Sequence, residues 1–145
     1  EFIVNRSSKI KAKIVSEDEK EERGKRTLLN FGHTIGHALE AAGGYKKYNH
    51  GEAVALGMLV ASSISVSLGL ATKDTLTRIE RMITKAGLPV KINKIPLSKI
   101  IKSHYLDKKF SGKINKFVLI ERIGKVKIAE NIPLEIIKAG LKKRA

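Results

Sequence analysis

Arg26-Thr-Leu-Leu-Asn30-Phe-Gly-His33-Thr-Ile-Gly-His37-Ala-Leu-Glu40-Ala-Ala-Gly43-Gly44, followed shortly by His50-Gly-Glu52-Ala-Val-Ala-Leu-Gly-Met58, carries three of the four histidines of the chain. His33 and His37 are four apart in a segment of helical period, so both imidazoles project from one face. The spacing predicts a helix over Thr27 to Ala42, closed by Gly43-Gly44 as a C-cap. Arg26, Asn30, His33 and His37 fall at 0, 4, 7 and 11 on that face. A guanidinium, an amide and two imidazoles, with no apolar group among them, suit a pocket for a polar, anionic ligand better than a packing face. Gly32 and Gly36 are also four apart. Each costs a helix about 1 kcal/mol relative to alanine, so the pair implies close backbone approach to a ligand or a packed neighbour.

Asn49 is placed to cap a second helix, with Glu52 closing a capping box. His50 then sits in its first turn, where the helix dipole disfavours imidazolium and keeps the ring neutral, the form a metal takes. This helix runs to about Gly69 and is apolar nearly all round, as in a helix buried within a bundle. Two helices joined by a short loop bring all three rings to one cavity. Such a donor set suits zinc, cobalt or iron rather than magnesium or calcium. Position 34 is threonine, so there is no HExxH motif, and the constellation has no carboxylate of clear provenance.

Outward from this stretch, Phe2 to Val15 reads as part of an amphipathic helix, with Ile3, Ile10 and Ile14 between cations. The acidic run Ser16 to Glu22 reads as a solvated turn or helix start. Lys73 to Ala86 is an amphipathic helix on which Leu76, Ile79, Met82 and Ile83 share a face; Gly87 and Pro89 end it. A short helix is expected from Leu97 to Leu106. Lys116 to Ala129 reads as a β-hairpin turning near Gly124. Pro133 opens a last helix through about Lys142. The fold class is therefore mainly α: one multi-helical domain, residues 1–145, with a short C-terminal β-hairpin.

With 145 residues the chain is long enough for one domain with a real core. It has no cysteine, hence no disulfide and no thiolate metal site. Nothing resembles a signal peptide. The longest apolar stretch, Ala53 to Ala71, is interrupted by serines and glycines and reads as a core helix, not a membrane span. A cytoplasmic location is the default. The net charge of +15 fits either a Lys-rich surface or an anionic partner. The charge is dispersed and aromatics are few, which argues against a nucleic-acid-binding module built on base stacking. The chain opens without an initiator methionine and reads as a piece of something longer.

Arg26-x-x-Leu29-Asn30-Phe-Gly-His33-Thr-Ile-Gly-His37-Ala-x-Glu40 and His50-Gly-Glu-Ala-Val-Ala-x-Gly-Met58 resemble the C-terminal part of 3-dehydroquinate synthase, a sugar-phosphate cyclase. Lys11-Ala-x-Ile-Val-x-x-Asp18-Glu19, Leu106-Asp-Lys-Lys109, Phe117-Val-Leu and Ile123-Gly124 extend the resemblance. It implies an enzyme using NAD and a divalent metal, zinc or cobalt. The implied reaction converts 3-deoxy-D-arabino-heptulosonate 7-phosphate to 3-dehydroquinate and phosphate, in the shikimate route to aromatic amino acids. In the resemblance His33 and His50 are metal ligands. His37 and Lys11 are catalytic, and Arg26, Asn30 and Lys108 bind substrate. A third ligand, a glutamate, and the nucleotide-binding N-terminal domain lie upstream of this chain, and the full-length enzyme is a homodimer. By the same resemblance this chain alone is inactive. Lys11 stands one residue further from Arg26 than the family spacing. Relatives such as 2-deoxy-scyllo-inosose synthase share much of the motif, so another cyclase is the alternative.

Overall fold

The computed structural model describes residues 1–18, 26–106 and 114–145. Six α-helices and one antiparallel hairpin make up the described residues. They follow in the order α1 (Phe2–Glu17), a short 3-10 helix (Arg26–Asn30), α2 (His33–Ala42), α3 (His50–Ser67), α4 (Lys73–Lys85), α5 (Leu97–Leu106), β1 (Lys116–Arg122), β2 (Lys125–Glu130) and α6 (Leu134–Lys142). The mainly α fold with a C-terminal hairpin agrees with the sequence reading. Among the described residues no helix is long and apolar enough to cross a membrane.

α3 is the axis of the molecule. Leu56, Leu59, Val60 and Ile64 are all fully buried. One side of α3 joins Ile35, Leu39, Ile100, Phe117, Leu119, Ile137 and Leu141 in the main core. Its other side, through Ala55 and Leu59, meets Ile79 and Ile83 of α4 and Ile120 of β1. A helix apolar all round is stable only when enclosed in this way. Burying one such leucine or isoleucine is worth about 1.5–3 kcal/mol.

Ser62 and Ser65 of α3 are accommodated by hydrogen bonds to carbonyls one turn back. Ser65 Oγ donates to the Ala61 carbonyl at 2.9 Å and accepts the Ile120 amide of β1 at 3.0 Å. The hydroxyl thereby ties hairpin to helix inside the core. Ser65→Ala leaves the buried Ile120 amide without that acceptor. It should cost about 1–3 kcal/mol, read as a lower midpoint in urea unfolding with an unchanged slope; a change within error would remove this role. At the base of the hairpin, the Asn115 side chain accepts the Ile132 amide at 2.7 Å and donates to the Ile132 carbonyl at 2.9 Å, imitating one more ladder pair. At its tip, Gly124 takes a φ of +84°. Lys125 Nζ lies 2.7 Å from Glu121 Oε2 there. That bond holds the Glu121 carboxyl below its ordinary range. Its contribution is present above the ordinary carboxylate range and lost as pH falls through the lowered value; solvent access to the pair keeps it small.

Four local expectations change. The helix foreseen over Thr27 to Ala42 is broken: Arg26–Asn30 is 3-10, and α2 begins at His33 behind Gly32, whose φ is +86°. The amphipathic face of α1 is not buried. Phe2, Ile3 and Val4 are 82%, 76% and 69% exposed, and no residue of α1 is fully buried; only the far end of the stripe, at Ile14 and Val15, is half-covered. Met82, placed by periodicity with Ile79 and Ile83, is exposed at the edge of the α4 stripe. The acidic run is not wholly solvated either. Asp18 is buried, and its Oδ2 accepts the Arg26 amide at 3.4 Å, a backbone partner that replaces water at the start of the 3-10 helix. Residues 19–22 of that run lie outside the described residues.

Candidate metal and substrate site

The glycines set the position of the histidines. A Cβ on Gly57 of α3 would run into the Gly32 carbonyl, and one on Gly32 would meet Met58 and the Val54 carbonyl at 2.6–2.7 Å. A Cβ on Gly36 would lie 3.2 Å from Val54 Cα. Of the two meanings the glycine spacing allowed, the packed neighbour is the one observed. Helix backbones therefore touch at the N-terminal end of α2, next to His33.

The connection from α2 to α3 is equally determined. Gly43 caps α2, Gly44 and Tyr45 take positive φ of 64° and 57°, and the chain reverses. Tyr48 then pins the loop: its hydroxyl accepts the Asn93 amide at 2.7 Å. The capping box forms as expected. Asn49 Oδ1 accepts the Glu52 amide and Glu52 Oε2 accepts the Asn49 amide, both at 2.9 Å. His50 is the first residue of α3 and faces back toward α2.

The three rings converge. Ring centroids lie 5.3 Å apart for His33 and His50, 5.6 Å for His33 and His37, and 6.1 Å for His37 and His50. The rings face one space, but among the described residues the donor atoms that come close enough together to hold a cation of the zinc or cobalt type are those of His37, Glu40 and His50, and His33 is not in that group. The carboxylate missing from the sequence reading is Glu40. Its Oε1 lies 3.1 Å from His50 Nδ1. Donor atoms of His37, Glu40 and His50 all fall within 4.8 Å of one another. His33, His37 and Glu40 stand at 0, 4 and 7 on α2. That periodicity was the available signal for Glu40.

Beside the histidines opens a cleft of about 510 Å³, lined by Ser7, Ile10, Lys11, Arg26, Leu29, Asn30 and His33. Lys11 from α1, and Arg26 and Asn30 from the 3-10 helix, therefore meet around one space, with His33 in the shared wall. The single-helix face proposed for Arg26, Asn30, His33 and His37 is not how they meet, because Gly32 interrupts it. The 3-10 turn brings Arg26 and Asn30 to the cleft instead. Two cations and an amide thus share an opening whose wall also includes Ile10 and Leu29. Lys108 lies outside the described residues. The fourth histidine, His104, is buried against Phe117, with centroids 5.5 Å apart; it is a core residue.

The sequence profile of the 3-dehydroquinate synthase C-terminal family matches residues 1–110. The chain belongs to this family. It is 47% identical over 137 residues to the 3-dehydroquinate synthase of Crocosphaera subtropica, covering 93% of this chain and 37% of that protein. To the 3-dehydroquinate synthase of Caldanaerobacter subterraneus it is 47% identical over 138 residues, covering 94% of this chain and 38% of the relative. The chain thus spans little more than a third of the length of these relatives. Among solved structures it is similar to a 2-deoxy-scyllo-inosose synthase complexed with carbaglucose-6-phosphate, NAD+ and Co2+. That match has a TM-score of 0.82 at 25% identity, over 93% of this chain and 39% of the other. The fold also matches a 2-epi-5-epi-valiolone synthase from Streptomyces hygroscopicus, solved with NAD+ and Zn2+. There the TM-score is 0.83 at 22% identity, over 98% of this chain and 39% of that one. As a member of the 3-dehydroquinate synthase C-terminal family, the chain places its motif histidines at the α2–α3 contact and, of its motif cations, Lys11 and Arg26 at the adjoining cleft.

Proposed function

We propose that this chain is the metal- and substrate-binding part of a 3-dehydroquinate synthase, which converts 3-deoxy-D-arabino-heptulosonate 7-phosphate to 3-dehydroquinate and phosphate. The observation that carries the proposal is the meeting of His33, His37 and His50 beside a cleft lined by Lys11, Arg26 and Asn30. The donor set fits a divalent metal, with His33 and His50 as ligands. When bound, zinc or cobalt would supply Lewis acidity toward adjacent substrate hydroxyls, and NAD, held mainly by the upstream portion of the enzyme, would supply reversible hydride chemistry. Lys11 and Arg26 bind the anionic groups of the substrate, the guanidinium by paired hydrogen bonds. Asn30 both donates and accepts, which orients a hydroxyl. His37, on the same face of α2 as His33 and one turn on, moves a proton at the substrate. Lys108 is proposed to complete the anion site. The same reading makes the full-length enzyme a cytoplasmic homodimer.

The chain by itself should release no phosphate from the heptulosonate phosphate, because the upstream glutamate ligand and the nucleotide site are not in it. Mixed with the upstream portion of the Crocosphaera relative, NAD+ and zinc, it should release phosphate. Release by the chain alone would overturn the divided site. Turnover of a hexose 6-phosphate in place of the heptulosonate phosphate would assign the chain to another cyclase.

The anion site can be tested separately. Inorganic phosphate binding, measured by calorimetry, should weaken about tenfold on Arg26→Ala, the cost of one charge-assisted contact of about 1.5 kcal/mol or more. Arg26→Lys should recover part of it, since the charge returns without the fork. Unchanged affinity in Arg26→Ala would remove Arg26 from the site.

A further inference from the structure

We infer that Glu40 is the positioning residue for His50: it fixes the tautomer and ring orientation through which His50 binds the metal. The inference rests on the proposal that His33 and His50 are metal ligands, and assigns a role to a carboxylate which that proposal leaves unused.

Glu40 Oε1 and His50 Nδ1 lie 3.1 Å apart, a hydrogen-bond distance. The Glu40 side chain is only 14% exposed, against 59% for His50. A largely buried carboxylate requires a donor, and Nδ1–H supplies one. An imidazole that donates from Nδ1 carries its lone pair on Nε2, so the bond selects which nitrogen serves the metal. It also stops the exposed ring from rotating away from His33, 5.3 Å off. The scaffold behind the pair is rigid. Glu40 lies on α2 two turns beyond His33, α2 touches α3 through Gly32, Gly36 and Gly57, and the Asn49–Glu52 box fixes the backbone of His50. One helix thus supplies a ligand, the proton-moving histidine and the group that aims the ligand on the next helix.

The test uses the chain with Co2+ or Zn2+ as probe, by chelator competition, together with 15N-edited NMR of the His50 ring without metal at about pH 8, where an ordinary imidazole is neutral. The chain should show His50 protonated at Nδ1. Glu40→Ala should release it to the mixed tautomers of a free imidazole and lower metal affinity about 10- to 100-fold, the usual effect of losing such a partner. Glu40→Gln should fall between, because its amide oxygen still accepts. The thermal midpoint of the metal-free chain should barely move, which a merely structural role would not predict. Binding that needs His33 and His50 but is unchanged in Glu40→Ala would overturn this inference alone. Binding indifferent to His33→Ala and His50→Ala would overturn the metal reading and this inference with it. A cobalt visible spectrum that loses a ligand in Glu40→Ala, with the His50 tautomer unchanged, would make Glu40 a direct ligand and overturn the positioning role.

Discussion

His50→Ala should lower cobalt or zinc affinity by more than about 100-fold, above the 10- to 100-fold typical of outer-sphere partners, while leaving the fold intact. Few positions separate the two effects so well. His50 is the first residue of α3, its side chain is 59% exposed, and its helix start is held by Asn49 and Glu52. Alanine in a first turn costs nothing in helix propensity. The stability change should stay within about 1–3 kcal/mol, the cost of leaving the largely buried Glu40 carboxylate without its donor. Reconstituted with its upstream portion, the variant should show no phosphate release above background. His33→Ala should have the same effect on metal and activity. His37→Ala should retain metal and lose turnover, because the proposal gives it a proton rather than a coordination bond. Retention of full metal affinity in His50→Ala would remove the metal centre from the α2–α3 contact. Loss of metal on His37→Ala with none on His33→Ala would shift the site to His37, Glu40 and His50, whose donor atoms also cluster.

Gly57→Ala should be the most destabilising single-methyl change in the helices. The added carbon would fall on the Gly32 carbonyl, with the Gly36 amide 2.9 Å away. Both obstacles are backbone, and the Gly36 amide is already donating to the Gly32 carbonyl at 2.9 Å. Neither can rotate aside, so α2 and α3 must separate. Overpacking a core ordinarily costs about 1–3 kcal/mol. Here roughly 3 kcal/mol or more is expected, a fall of about 10 °C in thermal midpoint for a chain of this size. The separation also moves His33 away from His50, so metal affinity should fall in the variant even where it remains folded. Gly51→Ala is the control. Its Cβ would meet only Asn49 Oδ1, at 3.5 Å, and helix propensity favours the change. Scanning calorimetry of the two variants decides the matter; equal midpoints would show that the α2–α3 contact is not what fixes the histidines.

What the sequence determined by itself is what local physics controls. The 3.6-residue period in α4, Met82 apart, the Asn49–Glu52 box, Gly43-Gly44 after α2, Gly124 in the hairpin and Pro133 before α6 act within a few residues, and each lies where it was read. His33 and His37 share a helix face for the same reason, and the motif Arg26 to Met58 carried the family. Tertiary structure decided the rest, because those outcomes depend on residues distant in sequence. Contact with Met58 and Val54 sets Gly32 at positive φ and splits the first histidine helix in two. The Arg26 amide turns Asp18 from a solvated charge into a buried acceptor. α1 keeps its helical period but buries none of its residues fully, and a period does not name its partner. Glu40 meets His50 only once the loop from Gly43 to Asn49 has folded back and Tyr48 has pinned it near Asn93. The 0, 4, 7 spacing of His33, His37 and Glu40 was a signal the sequence reading left unused, and the packing of α2 on α3 gave the carboxylate an imidazole to hold.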